Sequence, residues 1–533
     1  MTQKLDSLTS LRFFAAAMIV VHHAIERGLG PQWASHFALG QGVSFFFVLS
    51  GFVLAYNYPV LHGAKDIGRF LLARVARIWP AHIAATVLFI VFIGNISSHT
   101  LPQGSRAAIT AAYVTLTHAW LPLGSYYSAY NAVSWSISTE FFFYLAFPLL
   151  ISNWQTTWKI KMAGLAAVTM VMWWLSSRFA VGPQAEFMRG GFAYISPLAR
   201  ILEFALGIAV CHAYRDHGAR VRAAIGRMGT VLELGTVVLI VFGLWASRLL
   251  AHHPAVLDLV GRTGSLVLEA SGFGTLIYAV AIFVFALQTG RLSRILGTKP
   301  LVFLGEISFA LYLVHTLFLL YLQQAPGIFM GLPADAIYAW YWICGLAGAA
   351  LLHLCVEVPA QRLIRGWRDE ARGGISRWRL MSAFCAVVLV LVVAQPTARW
   401  FSMEPAAPDR NKLAHPVVFD EAYRLDAIEV QGGTLRFSWT AAKSTALAKR
   451  VGVHLLDGSG NMLGQLDFVM DTGYRHAPVG QQWSNFASRE GVDLRAIEML
   501  GIAVYDHRGL SNTSATAPVR TDWNGQRLLV PLR

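Results

Sequence analysis

The sequence predicts an α-helical polytopic membrane bundle followed by a small C-terminal β-sandwich-like domain. Three observations predict it. Of 533 residues, 55% are hydrophobic and only 14% are charged, against about 25% charged in ordinary soluble domains. Apolar segments long enough to cross a bilayer recur as far as Ala398. Beyond Trp400 the pattern changes to short alternating runs divided by turn signals such as Asp457-Gly458-Ser459-Gly460 and Asn524-Gly525.

The apolar segments fall at 8–26, 37–57, 74–97, 133–152, 160–179, 195–214, 229–248, 266–287, 300–321, 338–358 and 380–398. A further stretch, 107–122, is short, carries Thr115, Thr117 and His118, and ends in Leu-Pro-Leu-Gly. Charge bias decides its reading. With a cytoplasmic N-terminus and 107–122 not crossing, every basic cluster lies on one side: Lys65 to Arg77, Lys159 with Lys161, Arg215 to Arg227, Arg291 to Lys299, and Arg362 to Arg379. We therefore expect 107–122 to be re-entrant or interfacial. The last span then delivers the tail to the outer side of the membrane. The formal charge of +14 is this positive-inside pattern, and nucleic-acid binding is not expected.

The expected domains are a membrane domain (1–365), a basic loop with a linking helix (366–400), a Pro-rich linker (401–416) and an extracytoplasmic β-rich domain (417–533). Strands are expected at 434–440, 450–456, 465–470, 500–505 and 527–531. Cys211, Cys344, Cys355 and Cys385 all sit in apolar segments without a Cys-x-x-Cys pattern, so neither a disulfide framework nor a metal site is expected. The first apolar run is interrupted by Arg12 and a His pair, unlike a cleavable signal.

Ionisable side chains inside a span are costly, and they usually face a bundle interior or a water-filled cavity. The first span carries Arg12, His22, His23 and Glu26. Arg12 and His23 are eleven positions apart, hence about 20° apart around the helix and about 16 Å apart along it. They share a face, and a neutral imidazole is the usual general base for a hydroxyl. His22 points about 100° away from His23 and remains a candidate for the cavity wall. Arg74 and Arg77 are neighbours on one helix face; two guanidiniums there suit phosphate oxygens or serve as ordinary basic anchors. Glu140 lies within an apolar span and must be paired or neutral. Ser136, Tyr312 and His315 are further cavity-lining candidates, with Ser308, Tyr312 and His315 on one stripe. Arg200 and Glu203 are spaced to pair, as are His353 and Glu357. Glu269 reads as a lone carboxylate without a role.

These stretches carry a resemblance. Leu5-Asp6-x5-Arg12-x10-His23 is similar to the first helix of the membrane acyltransferase-3 family, whose hallmark is an Arg and a His with ten residues between them. Ser44-Phe-Phe-Phe-Val-Leu-Ser-Gly51-Phe resembles its second helix, and Arg74-Val-Ala-Arg77-Ile-Trp-Pro80 its Arg-x-x-Arg motif. Ser134-Trp135-Ser136 to Glu140 and Tyr144, Arg200-x2-Glu203-Phe, Ile307-Ser308 to Tyr312 and His315, and Glu357-x-Pro359 follow in the family's order. The match covers about residues 5–365.

The resemblance implies a ten-helix membrane O-acyltransferase core, here with one linking helix. It implies transfer of an acyl group, commonly acetyl, from cytoplasmic acyl-CoA to a sugar hydroxyl of a bacterial polysaccharide or lipopolysaccharide. The expected partners are acyl-CoA (acetyl-CoA first), a glycan acceptor and the lipid bilayer, with no permanently bound cofactor. It further implies that Arg74 and Arg77 lie near the CoA phosphates and that Arg12 and His23 are essential, with His23 as base or acyl carrier in a charge network with Arg12. Some family members carry a hydrolase-like outer domain with a Gly-Asp-Ser nucleophile and an Asp-x-x-His pair. Residues 401–533 hold neither, so no catalytic triad is expected there. Trp439, Trp483 and Trp523 serve either sugar stacking or the core of the sandwich. The rival reading is a secondary transporter that uses the same intramembrane charges as a pathway, although no inverted repeat is visible.

Overall fold

The structure is a computed structural model that describes residues 4–93, 106–179, 190–324 and 332–366, together with most of 410–531. The described residues form a helical unit and a unit of β-strands. The helical unit holds α1 (Asp6–Glu26), α2 (Gly42–Asn57), α3 (Gly63–Phe92), α4 (Arg106–Val114), α5 (Gly124–Tyr127), α6 (Trp135–Ile151), α7 (Trp154–Phe179) and α8 (Pro197–Ile225). It continues with α9 (Gly229–His252), α10 (Pro254–Ala270), α11 (Gly274–Leu287), α12 (Arg291–Leu296), α13 (Lys299–Gln324), α14 (Ala334–Leu352) and α15 (Val358–Gly366).

Among the described residues, nine stretches are long and apolar enough to cross a membrane. One of them, Gly191–His252, is 62 residues long. At 1.5 Å per residue that is about three times a ~30 Å hydrocarbon core, and the helix is broken at Gly226–Met228 into α8 and α9. The described residues thus hold ten membrane helices, at the ten positions expected before residue 365. The expected span 380–398 lies outside the described residues. The stretch 107–122 does not cross: α4 has nine residues, about 14 Å of helix. Its last turn is tied to α3, where Trp79 Nε1 donates to Val114 O (2.9 Å) and His82 Nε2 bonds Tyr113 O (3.0 Å).

α10 and α11 together make one broken crossing, because neither 17 nor 14 residues reaches the ~20 a bilayer core requires. A break inside a membrane frees backbone groups that need new partners. Side chains of other elements supply them: Gln41 Nε2 donates to the carbonyls of Leu268 (3.1 Å) and Glu269 (3.2 Å), and Ser247 Oγ accepts from Phe273 N (3.4 Å). Glu233, fully buried on α9, does the same for α12, accepting from the backbone of Gly290 and Ser293.

Two close backbone approaches set the positions of the site-bearing helices. α2 packs along α8 through a reciprocal glycine contact. A Cβ at Gly51 would collide with the Phe204 carbonyl, and one at Gly207 with the Val48 carbonyl. α1 packs along α13 with Gly305 against the Thr9 carbonyl. Small residues let membrane helices approach closely enough for dispersion forces to hold them. Gly51→Leu is expected to destabilise the bundle by about 3 kcal/mol or more, read as a lowered melting temperature of the detergent-solubilised protein. An unchanged melting curve would contradict the close packing of α2 on α8.

The β unit is a two-sheet sandwich. Its strands are β1 (Arg410–Phe419), β2 (Tyr423–Gln431), β3 (Thr434–Ala441), β4 (Thr445–Ala446), β5 (Arg450–Leu456), β6 (Met462–Val469), β7 (His476–Ala477), β8 (Gln482–Ala487), β9 (Met499–Asp506), β10 (Gly509–Leu510), β11 (Thr513–Ala515), β12 (Thr521–Asp522) and β13 (Arg527–Pro531). One sheet runs β11-β1-β2-β3-β8 and the other β12-β13-β9-β5-β6; β4 and β7 pair separately. Alternate residues of both sheets meet in one core, among them Phe419, Leu425 and Phe437 from the first and Val453, Ile502 and Leu528 from the second. All five expected strands are present. The linker ends earlier than expected: β1 begins at Arg410 and pairs with β2 from there, and it accommodates Pro416 where the register is interrupted between Lys412 and Val417. Trp439 is 1% exposed and packs on Phe419, so it is a core residue. The side chains of Trp483 and Trp523 lie outside the described residues.

Candidate active site

The helical unit forms a half-open cavity of about 200 Å³ at the junction of α1, α2, α3, α6 and α13. Arg12, Arg74 and Arg77 line it from α1 and α3; Ser136, Glu140 and Tyr144 line it from α6; Tyr312 lines it from α13. The rest of the wall is apolar, including Phe46, Phe47 and Phe309. Three guanidiniums thus face a small chamber in the interior of the bundle.

Their environments differ. The Arg12 guanidinium opens on the cavity and makes no hydrogen bond or ion pair with the described residues; Glu140, Tyr144 and Glu306 are the oppositely charged or titratable groups that act on it. Arg74 stacks over the Tyr58 ring (5.5 Å) and reaches its hydroxyl from Nη2 (3.4 Å), while its buried Nε has no partner among the described residues. Arg77 is ion-paired with Glu357 and lies over the Phe309 ring (5.6 Å). Glu357 is fully buried in a π-helical turn, His353–Glu357, where it also accepts from His353 Nδ1 (2.9 Å) and Gln361 Nε2 (3.2 Å). Glu140 is held by two hydroxyls, Tyr144 (2.6 Å) and Ser50 (2.9 Å), both on Oε1. Three cations against Glu140 and Glu357 leave the lining positive, which suits an anionic ligand.

Tyr312 is the far wall. Its hydroxyl donates to Val133 O (2.7 Å) and accepts from Ser136 Oγ (2.8 Å). Behind it, one turn along α13, His315 is fully buried and its Nε2 lies 2.9 Å from His23 Nδ1 of α1. The two rings are nearly parallel, 17° apart, with centroids at 5.1 Å. The chamber therefore connects the Arg cluster to a histidine pair through one tyrosine.

The profile of a family described as an acyltransferase domain matches residues 5–358. The chain belongs to the acyltransferase-3 family. Acyltransferase MdmB of Streptomyces mycarofaciens is 31% identical to this acyltransferase-3 chain over 402 residues, covering 69% of this chain and 94% of MdmB. Nodulation protein 10 of Rhizobium leguminosarum is 27% identical over 188 residues, 32% of this chain and 50% of that protein. The peptidoglycan O-acetyltransferase OatA of Listeria monocytogenes is 23% identical over 328 residues, 58% of this chain and 48% of OatA. The chain thus spans nearly all of the first relative and about half the length of the other two. No solved structure matches it.

The acyltransferase-3 structure brings six of the expected residues into one chamber: Arg12, Arg74, Arg77, Ser136, Glu140 and Tyr312. It pairs His23 with His315 and not with Arg12. The shared helix face is real, but the ~16 Å along the axis puts the two side chains at different depths, where other helices supply their partners. His22 does not line the chamber. It turns away toward Glu26 (3.4 Å) and packs against Gly40. The donor atoms of His22, His23 and Glu26 lie within 4.8 Å of one another, a grouping of ligand types that could hold a metal ion and that the sequence reading did not anticipate. Glu269 is not alone: Arg248 is its ion-pair partner. Arg200 and Glu203 pair as their spacing predicts (3.0 Å), and Arg200 Nη2 also donates to Ser44 (2.8 Å), so that the pair pins α8 to α2 outside the chamber. Ser50, Tyr58 and the Arg77–Glu357 bond were not singled out by sequence reasoning. Ser50 and Glu357 sit inside family-like motifs, whereas Tyr58 carries no signal beyond its place before a basic loop.

Proposed function

We propose that the chain is an inner-membrane O-acyltransferase that moves an acyl group, acetyl first among candidates, from cytoplasmic acyl-CoA to a sugar hydroxyl of an envelope or secreted polysaccharide. The observation that carries this reading is the chamber that runs from Arg12, Arg74 and Arg77 to Tyr312, with the His23–His315 pair behind it. Phosphates of the donor would lie at Arg74 and Arg12, the two cations without a carboxylate bonded to them; guanidinium forks match phosphate oxygens. Arg77, neutralised by Glu357, shapes the entrance. The thioester arm would extend along the chamber toward Tyr312. His23 would take the proton of the acceptor hydroxyl as that oxygen attacks the acyl carbon and the C–S bond breaks. The positive-inside pattern supports a cytoplasmic entrance, and the name of the OatA relative supports a glycan as acceptor. The family is one of acyltransferases, which favours transfer over transport.

The test uses inside-out membrane vesicles supplied with radiolabelled acetyl-CoA. Label is expected to appear on glycan as an ester that mild base removes. Label that stays on CoA, or leaves it only as free acetate in the presence of glycan, would count against the proposal. In the same assay Arg74→Ala is expected to raise the KM for acetyl-CoA about tenfold or more, as loss of one charge-assisted contact implies, with kcat changed less. An unchanged KM would remove Arg74 from the donor site.

A further inference from the structure

We propose that His315 is the positioning residue that decides which nitrogen of His23 carries the proton, and that it leaves His23 Nε2 as the bare, reactive nitrogen. The inference rests on the O-acyl transfer reading and deepens it by naming the atom.

The hydrogen bonds fix the assignment in sequence. His315 Nδ1 lies 2.7 Å from the Tyr312 carbonyl oxygen and 3.3 Å from that of Leu311. A carbonyl can only accept, so Nδ1 of His315 bears the hydrogen. In the neutral ring, Nε2 of His315 is then an acceptor. His23 Nδ1 lies 2.9 Å from it and must bring the hydrogen of that bond. In the neutral pair the remaining nitrogen of His23, Nε2, keeps its lone pair. The alternative tautomer of His23 would set two lone pairs against each other at 2.9 Å.

The turn that presents His315 is held on either side. The Tyr312 hydroxyl donates to Val133 O (2.7 Å), Asn131 Nδ2 donates to Leu313 O (2.8 Å), and Thr316 Oγ1 donates to Asn131 Oδ1 (3.1 Å). Residues 131–133 thus clamp α13 around the histidine. Turning the ring over would break its bond to the Tyr312 carbonyl at a fully buried position, where an unmade hydrogen bond is costly. The arrangement has the logic of a triad in which a third group orients the base, with a neutral acceptor in place of a carboxylate. The charged and titratable groups around the pair are His22, whose ring centroid is 5.3 Å from that of His23, and Arg27.

The step balances. The acceptor hydroxyl gives its proton to His23 Nε2, its oxygen bonds the acyl carbon, and the C–S bond of the thioester breaks. The departing thiolate takes the proton from His23 Nε2 and leaves as the free thiol, so the pair returns to its starting tautomers.

The test uses full-length protein in lipid bilayers with nitrogen-15 histidine. Solid-state NMR of the wild type is expected to show His23, assigned by its loss in His23→Gln, with a protonated Nδ1 and a bare Nε2. His315→Leu should release His23 to the Nε2–H tautomer and lower kcat for transfer from radiolabelled acetyl-CoA about 100-fold, with KM for acetyl-CoA little changed. His315→Gln, whose side-chain oxygen can stand where Nε2 stood, should restore the Nδ1–H signal and keep the rate within about tenfold of wild type. A protonated Nε2 on His23 in the wild type overturns the inference. So does full transfer by His315→Leu when His23→Ala is inactive. Full transfer by His23→Ala would end the role of His23 as base and the inference with it, whereas absence of label on glycan with the wild type would overturn the O-acyl transfer reading and leave the NMR result standing.

Discussion

His23→Ala is expected to lower the rate of acyl transfer by about 10²- to 10⁴-fold, the usual contribution of a positioned general base. The substitution removes the side chain that faces His315 and leaves the chamber untouched, since His23 does not line it. Donor binding should therefore survive: KM for acetyl-CoA in the vesicle assay is expected to stay within about threefold, which marks a loss confined to the transition state. His22→Ala is the internal control. Its ring faces Glu26 and Gly40, and its rate should remain near that of the wild type. A His23→Ala protein that is present in the membrane at normal level and still transfers label at full rate would end the case for His23 as the base.

The second large effect concerns stability. Glu357→Leu is expected to destabilise the protein by about 3–5 kcal/mol, because it removes the carboxylate from a buried ion pair and leaves the Arg77 guanidinium without its counter-charge. Glu357 is 0% exposed and binds Arg77, His353 and Gln361 together, so three donors lose their acceptor at once. The melting temperature in detergent reports the loss. The double variant Arg77→Leu with Glu357→Leu should recover a large part of it, since removing both charges also removes the desolvation cost that each one carried. A double variant as unstable as the sum of the two single ones would show that Arg77 and Glu357 act independently.

The helices were legible because a bilayer admits few solutions. Apolar runs of spanning length must be helices, and the basic loops sort them by side. The 107–122 stretch was resolved by charge alone, and α4 proved too short to cross. Intramembrane charges identified the chamber for the same reason: Arg12, Arg74, Arg77 and Glu140 are too costly to bury without a purpose. What could not be read was who meets whom. Pairs three or four apart on one helix, Arg200 with Glu203 and His353 with Glu357, followed from helical spacing. Pairs between helices did not. His23 and His315 are 292 positions apart, and Arg77 meets Glu357 across a similar separation. A helical wheel gives the azimuth of Arg12 and His23 and says nothing of which neighbour lies at each depth. The linker boundary failed for a different reason: prolines suggest a linker, yet Pro416 lies inside β1, where the register with β2 is interrupted between Lys412 and Val417.

Tyr312 has a bearing on the energy economy of the cell as well as on chemistry. Its ring separates the Arg-lined chamber from the histidine pair and packs on Phe46, while its hydroxyl is fixed at Val133 and Ser136. In the proposed reaction the donor's phosphates stay on the Arg side of this ring, and only its thioester end meets the acceptor hydroxyl near His23. Were both sides wetted continuously, titratable groups along the path would let protons run down the membrane potential. A clamped aromatic ring at this point would leave passage for a slender acyl arm and limit a continuous file of water.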